Sequence, residues 1–506
     1  MSRDQVGLAP LALLFLAWHV PLAYRTEAGL DEDWYGVPGI TILRTGLPQI
    51  PYIPSRDPGS ACFKADVILD ALPPLSFYLQ ALIHLLLGAG IGPARMTSVL
   101  AGLCAGYIVH DLTHLWFGDR RAALMAVAFY LVARAFYFPA TTARPDMVAV
   151  TFGLLALDAA VRYRHSPRLS FVIVAGAAAG LSLLSHPFGV VAATQAGLVV
   201  LARPVELRVR LCHAFLFALT TLLVFSLWVP LILLHPDIFR EQFGSNVLHR
   251  AGQGLVSTLL APWSVFPYQL RQIWGYLEPI QAVVYGLALV GGTLLAGLTP
   301  GSRNFVFHLW ASWLLLILFE GKHPTTGYYA YPAAMTSVAL AILASRVGIL
   351  LEWASARRSL RFRGTMPWLV FGALFLAFLP GAGLRTVLAC CQHWNDPAYN
   401  SHTLARTVMR DIPPQAPTAV DGAFVLDFYL ADRPVLEATI HRLSYDFRTR
   451  PFEYVVFARD GLRRFRPLMT DLILDRTYGN RSDPFAPYAE LYRRTQPSAW
   501  PKTGTP

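Results

Sequence analysis

Three consecutive carboxylates, Asp31, Glu32 and Asp33, follow the first apolar stretch of the chain, and two further charged groups stand at the ends of later apolar stretches. Arg144-Pro145-Asp146 opens one of these, and Lys322-His323 closes another. Charge beside hydrocarbon is costly and is retained there for chemistry or ion binding. A carboxylate can take the proton of an attacking hydroxyl or hold a cation. Arginine, lysine and histidine can neutralise a phosphate. Brought to one membrane face, the three groups would make an active site. Each also has a plainer reading. The trio could cap a helix beginning at Trp34, Asp146 could pair with Arg144 at a helix start, and Lys322 could reach the interface beside Tyr328 and Tyr329.

The elements that must position these groups are membrane spans. The chain has 506 residues, 55% hydrophobic and 14% charged. Soluble domains carry roughly 25% charged residues, so the composition is that of an integral membrane protein. The formal charge of +11 fits basic cytoplasmic loops rather than nucleic-acid binding. Apolar runs predict spans at 8–24, 93–116, 121–141, 145–162, 169–185, 187–202, 211–235, 279–298, 304–320, 328–351 and 367–389, about eleven in all. The first lacks a small-x-small cleavage site and is read as a retained span.

Segment 72–90, with Pro73-Pro74, Gln80 and His84, decides the topology. If it does not cross, the basic loops at Asp119 to Arg121, Arg162 to Arg168, Arg203 to Arg210 and Arg357 to Arg363 share one side. Asp31 and Asp146 then share the other. The segment is therefore expected to lie along the outer interface, within a long first loop (25–92). A second long loop is expected at 236–278. From 395 to 506 charges become frequent and no spanning run occurs, which predicts a small extracytoplasmic α/β domain after a membrane domain at 1–394. Its expected elements are a helix from Ser401 to Arg410 and strands from Ala423 to Leu430 and from Tyr454 to Ala458. Cys62 could bridge to Cys390 or Cys391 if both regions lie outside the cytoplasm. His110 and His114 share a helix face, but they fall near the cytoplasmic end and read as a polar helix end.

The order of these features resembles the bacterial branch of the GT-C glycosyltransferases, which includes protein O-mannosyltransferases and lipid A aminoarabinose transferases. The similarity rests on Asp31-Glu32-Asp33-Trp34-Tyr35 leading to Gly46 through Pro51, on Pro73-Pro74-Leu75-Ser76-Phe77-Tyr78, on Arg95 through Gly102, and on Arg144-Pro145-Asp146. Ser185-His186-Pro187 and Gly321-Lys322-His323-Pro324 with Tyr328 extend it. Leu72 departs from the lysine or histidine common before Pro-Pro, so the phosphate contact usual there comes from elsewhere, with Lys64 one candidate, or is missing. The resemblance implies a helical, polytopic GT-C fold in the cell (inner or plasma) membrane, with juxtamembrane helices in the first outer loop. It implies a polyprenyl-phosphate-linked sugar as donor and a protein, lipid or glycan acceptor outside the cytoplasm. Asp31 best matches the base, with Glu32 or Asp33 next in register and Asp146 orienting the acceptor or sharing a divalent cation with Asp31. Lys322, His323, Tyr328, Arg144 and Lys64 would meet the donor phosphate, and His186 reads as a turn histidine. A flippase for a lipid-linked glycan and a glycan polymerase or ligase are the alternatives.

Overall fold

The computed structural model describes residues 3–29, 31–297, 303–323, 327–356, 364–440 and 445–495. Each of the eleven predicted spans falls on helix, from Arg3–Arg25 to the broken helix that begins at Met366–Phe378. The basic segment 357–363 lies outside the described residues. Three described helices, Gly7–Arg25, Leu207–Leu234 and Ala330–Ser355, are long and apolar enough to cross a bilayer alone. Three bent pairs reach that length together.

Segment 72–90 belongs to one of these bent pairs. Helix Leu75–Leu87 meets Ile91–Phe117 at 117°, through Gly88 (φ 86) and Gly90 (φ 155). The short helix therefore lies across the axis of the long one rather than continuing it.

Two predicted spans are broken, and one side chain holds both breaks. The segment expected at 121–141 is Arg120–Val132 and Arg134–Thr141, bent by 63°. That at 367–389 bends by 67° before Leu384–Gln392, with Gly383 at φ 73. Buried Gln281 accepts the Arg134 N–H at 2.9 Å and donates to the Phe378 carbonyl at 2.9 Å. Backbone groups freed by a break inside hydrocarbon need such partners.

Three further expectations are corrected. The "loop" at 236–278 is largely helical, with Pro236–Phe243, His249–Leu260 and Pro262–Leu277. Proline stands at the first position of two of these helices, where its missing N–H costs nothing. Ala423 to Leu430 is not a strand but a turn and a helix, Val425–Leu430. Asp421 starts it: its carboxylate accepts the Ala423 N–H, and its carbonyl accepts those of Phe424 and Val425. All five cysteines are free, with Cys62 buried.

The helix Ser401–Arg410 appears as read, capped by the Asn400 side chain on the Thr403 N–H. It joins a five-stranded sheet of β1 (Thr418–Val420), β2 (Val435–Glu437), β3 (Tyr454–Phe457), β4 (Leu472–Gly479) and β5 (Tyr488–Arg494). The order is β2-β1-β3-β5-β4, with β1 parallel to β2 and β3 and the remaining pairs antiparallel. Its apolar face is shared with the first loop. Val37, Ile40, Ile50 and Ile53 pack in one core with Val420, Phe424, Val455 and Phe457. First loop and C-terminal sheet thus form one body over the helical bundle.

Candidate active site

Glu32 anchors the site. Its carboxylate forms a two-pronged pair with Arg95, at 2.7 and 2.6 Å, and both side chains are almost wholly buried. The same carboxylate accepts the N–H groups of Gly29 and Ala143, each at 2.7 Å. Arg95 also donates to the carbonyls of Ala23, Thr26 and Glu27. Burial alone would raise the Glu32 pKa, but the Arg95 charge and these donors outweigh it and hold it below the usual range. Such a pair is costly to break, at about 3–5 kcal/mol when one partner is removed. It ties the end of the first helix, the first loop, helix Ile91–Phe117 and the turn before Asp146 into one frame. Glu32 therefore has no free oxygen for a reacting group.

That frame delivers its neighbours to each other. Asp31 precedes Glu32 at φ 63, a left-handed conformation that is uncommon for a non-glycine residue. It occupies the cap position of helix Glu32–Tyr35, yet its side chain makes no capping bond. The carboxylate instead meets the guanidinium of Arg144, which follows Ala143. Arg144 Nε in turn bonds Asp146 Oδ2 at 2.6 Å. Arg144 thus stands between two carboxylates, one fully buried (Asp146) and one about a third exposed (Asp31). Gly327 lies so close to Asp146 that an added Cβ would stand 2.7 Å from Oδ2.

His186 approaches Asp146 Oδ1 at 3.9 Å and the Tyr328 hydroxyl at 3.4 Å through Nε2. Its Nδ1 accepts the Phe188 N–H at 3.2 Å, so the neutral ring carries its proton on Nε2. Phe188 stacks on Tyr328 with centroids 4.9 Å apart. The turn bearing His323 is held by Gln269, which donates to the carbonyls of Gly321 and His323 and accepts from Tyr329.

A cavity of about 170 Å³ gathers these groups: Asp31, Arg144, His186, His323 and Tyr328 line it. Leu72, Val190, Val247 and Phe319 supply apolar wall. Lys64 is elsewhere, 3.5 Å from Asp237 at the surface, and Lys322 is exposed and outside the lining. Asp33 faces away from Arg144 into a second cavity. The arginine between Asp31 and Asp146 makes that donor set a poor fit for a divalent ion. No group of three metal-ligating side chains occurs among the described residues. Sequence reasoning undervalued His186, although its place in a turn beside Pro187 was a signal. Asn246, which also lines the cavity and donates to the Ala71 carbonyl, and Gln269 went unseen because their segment reads as loop.

A helical bundle with an interfacial first loop, a buried arginine-carboxylate frame and a sheet domain above it defines a GT-C fold, and the chain is a multi-pass membrane protein of that fold. The family model described as dolichyl-phosphate-mannose-protein mannosyltransferase matches residues 71–230. Over 97% of this chain and 98% of the other, the structure resembles ArnT from Cupriavidus metallidurans bound to undecaprenyl phosphate, at 17% identity and a TM-score of 0.62. It also resembles an oligosaccharyltransferase from Archaeoglobus fulgidus tethered to an acceptor peptide, at 14% identity and a TM-score of 0.53, covering 97% and 74% of the two chains. The archaeal oligosaccharyltransferase AglB from Archaeoglobus fulgidus, in complex with an inhibitory peptide and a dolichol-phosphate, matches at 12% identity and a TM-score of 0.50, over 99% and 75%. No curated protein matches by comparison of that kind.

Proposed function

We propose that this chain is a glycosyltransferase that moves a sugar from a polyprenyl-phosphate donor to an acceptor hydroxyl at the extracytoplasmic face of the cell membrane. One observation carries the reading: Asp31 lines two cavities, one partly apolar and lined by Arg144, His186 and His323 with Glu320, the other richer in carboxyls. A direct displacement needs its nucleophile and its leaving group on opposite sides of the anomeric carbon, with a base at the nucleophile.

In this mechanism the donor phosphate lies in the first cavity, with its lipid leaving along the apolar wall. Arg144, the Nε2–H of His186, His323 and the Tyr328 hydroxyl meet its oxygens as negative charge grows there. The acceptor hydroxyl enters beside Asp31 and gives up its proton to that carboxylate. Its oxygen bonds the anomeric carbon as the carbon–phosphate oxygen bond breaks, and the electron pair leaves on the phosphate. The configuration at that carbon inverts. Asp146 holds Arg144 in place, and Glu32 with Arg95 holds Asp31. The 1–394 membrane part supplies the donor side, and the 395–506 part covers the acceptor side. Undecaprenyl phosphate in ArnT and dolichol-phosphate in AglB support a polyprenyl carrier.

Purified protein incubated with radiolabelled polyprenyl-phosphate sugars and envelope acceptors tests the reading. Label should pass to an acceptor with inverted anomeric configuration. Movement of intact donor across the bilayer without a glycosidic product would overturn it.

A further inference from the structure

The second cavity, of about 520 Å³, lies between the first loop and the C-terminal sheet. Among the described residues its walls hold Glu27, Asp31, Asp33, Asp421, Glu437 and Asp460, against Arg459 and Arg464. Both arginines have partners, although Arg459 keeps a bare Nε among the described residues and its charge acts on Glu27. Arg459 donates to the carbonyls of Asn480 and Asp483 at 2.7 and 2.6 Å, and Arg464 pairs with Asp460 at 3.1 Å. Asp421 is satisfied by the N–H groups of Ala423, Ala458 and Gly461.

Asp33 and Glu437 are different. Their carboxyls share a hydrogen bond and Trp34 also reaches Glu437, yet Glu437, 2% exposed, keeps its Oε2 without a partner among the described residues. Burial, followed by the neighbouring charge of Asp31, pushes Asp33 up to about 7. Burial and then Asp33 hold Glu437 well above its ordinary range. A buried polar atom left bare is costly, and a carboxyl pair is relieved by a positive partner. A hydrogen-bonding organic cation meets this need, because it can donate to the bare Oε2 while its charge lies beside both carboxyls.

We infer that this acidic cavity binds the acceptor, and that the acceptor class carries an ammonium group close to its reacting hydroxyl. The inference rests on the glycosyl-transfer reading and adds to it the chemistry of the acceptor. An ammonium between Asp33 and Glu437 would donate to the bare Oε2 and leave a neighbouring hydroxyl directed at Asp31.

The test uses the full chain in phosphatidylcholine nanodiscs with two probes, a fully deacetylated glucosamine tetramer and its N-acetylated counterpart. They share a backbone and differ in positive charge. Calorimetry should show the deacetylated tetramer binding at least tenfold more tightly. Glu437→Gln, or Asp33→Asn should that variant misfold, should remove the preference while undecaprenyl phosphate still binds. Equal affinity for the two tetramers, or a preference that survives both substitutions, would overturn the inference. So would magnesium binding that Glu437→Gln abolishes. Failure of undecaprenyl phosphate to bind the unsubstituted protein would count instead against the glycosyltransferase reading beneath it.

Discussion

In the proposed mechanism Arg144 has two tasks, fixing Asp31 and facing the donor phosphate, and both depend on Asp146 holding its Nε. Asp146 is positioned in turn by the bare backbone of Gly327, which leaves room for Oδ2. Gly327→Ala should therefore push the carboxylate aside, turn Arg144 and lower transfer at least tenfold, with little change in melting temperature. Steady-state kinetics alongside thermal unfolding check this. Much at this scale was legible in the sequence. Asp31, Arg144 and Asp146 stand out because a charge at the end of an apolar run has few harmless explanations. The division of labour within the acidic trio was not legible. Three adjacent carboxylates look equivalent until a buried arginine 63 residues away claims Glu32, and a strand of the C-terminal sheet meets Asp33. Lys64 and Lys322 matched by type and order, but the backbone carries their side chains elsewhere.

At the scale of elements, hydropathy located the helices and could not see where they break. Span 121–141 reads as continuous because Ala133 carries no breaking signal, whereas 367–389 holds one in Pro380, Gly381 and Gly383 that hydropathy alone passes over; the partner that stabilises both breaks, Gln281, lies far from each in sequence. A lone glutamine in an apolar run reads as tolerated polarity. Replacing it by leucine would leave an N–H and a carbonyl unsatisfied in hydrocarbon. The expected loss is on the order of 2–6 kcal/mol, from about 1–3 kcal/mol for each of the two stranded groups. Gln281→Leu should thus lower the thermal midpoint in detergent while the isolated helices keep their circular dichroism. The strand predicted at Ala423 to Leu430 failed for a related reason. Its residues favour a strand, but Asp421 captures the following amides and starts a helix instead.

At the scale of the whole molecule, the first loop and the C-terminal sheet fold as one lid over the bundle, though some 370 residues separate them in sequence, as between Tyr52 and Tyr429. No local pattern announces such a pairing. Their seam is rich in carboxyls whose pKa burial has raised: Glu27 and Asp33 to about 7 and Asp421 to about 6. The protonated form is favoured in the folded state, so its stabilisation is full at low pH and is lost as pH rises through about 7. The lid should melt at a lower temperature at pH 8 than at pH 6, and Asp33→Asn should flatten that difference. Differential scanning fluorimetry across the range checks the sign. Glu32, held below its usual range by Arg95, acts oppositely and loses its contribution only toward acid pH.

The claim on which all scales converge is that the carboxylate of Asp31, between a phosphate-facing cavity and an acidic one, takes the acceptor's proton. Asp31→Asn keeps the size of the side chain and removes the base. Measured as initial rate with a labelled polyprenyl-phosphate sugar, transfer should fall by about 100- to 10,000-fold, while undecaprenyl phosphate still binds and the protein still inserts. Transfer at the unsubstituted rate in that variant would contradict the account.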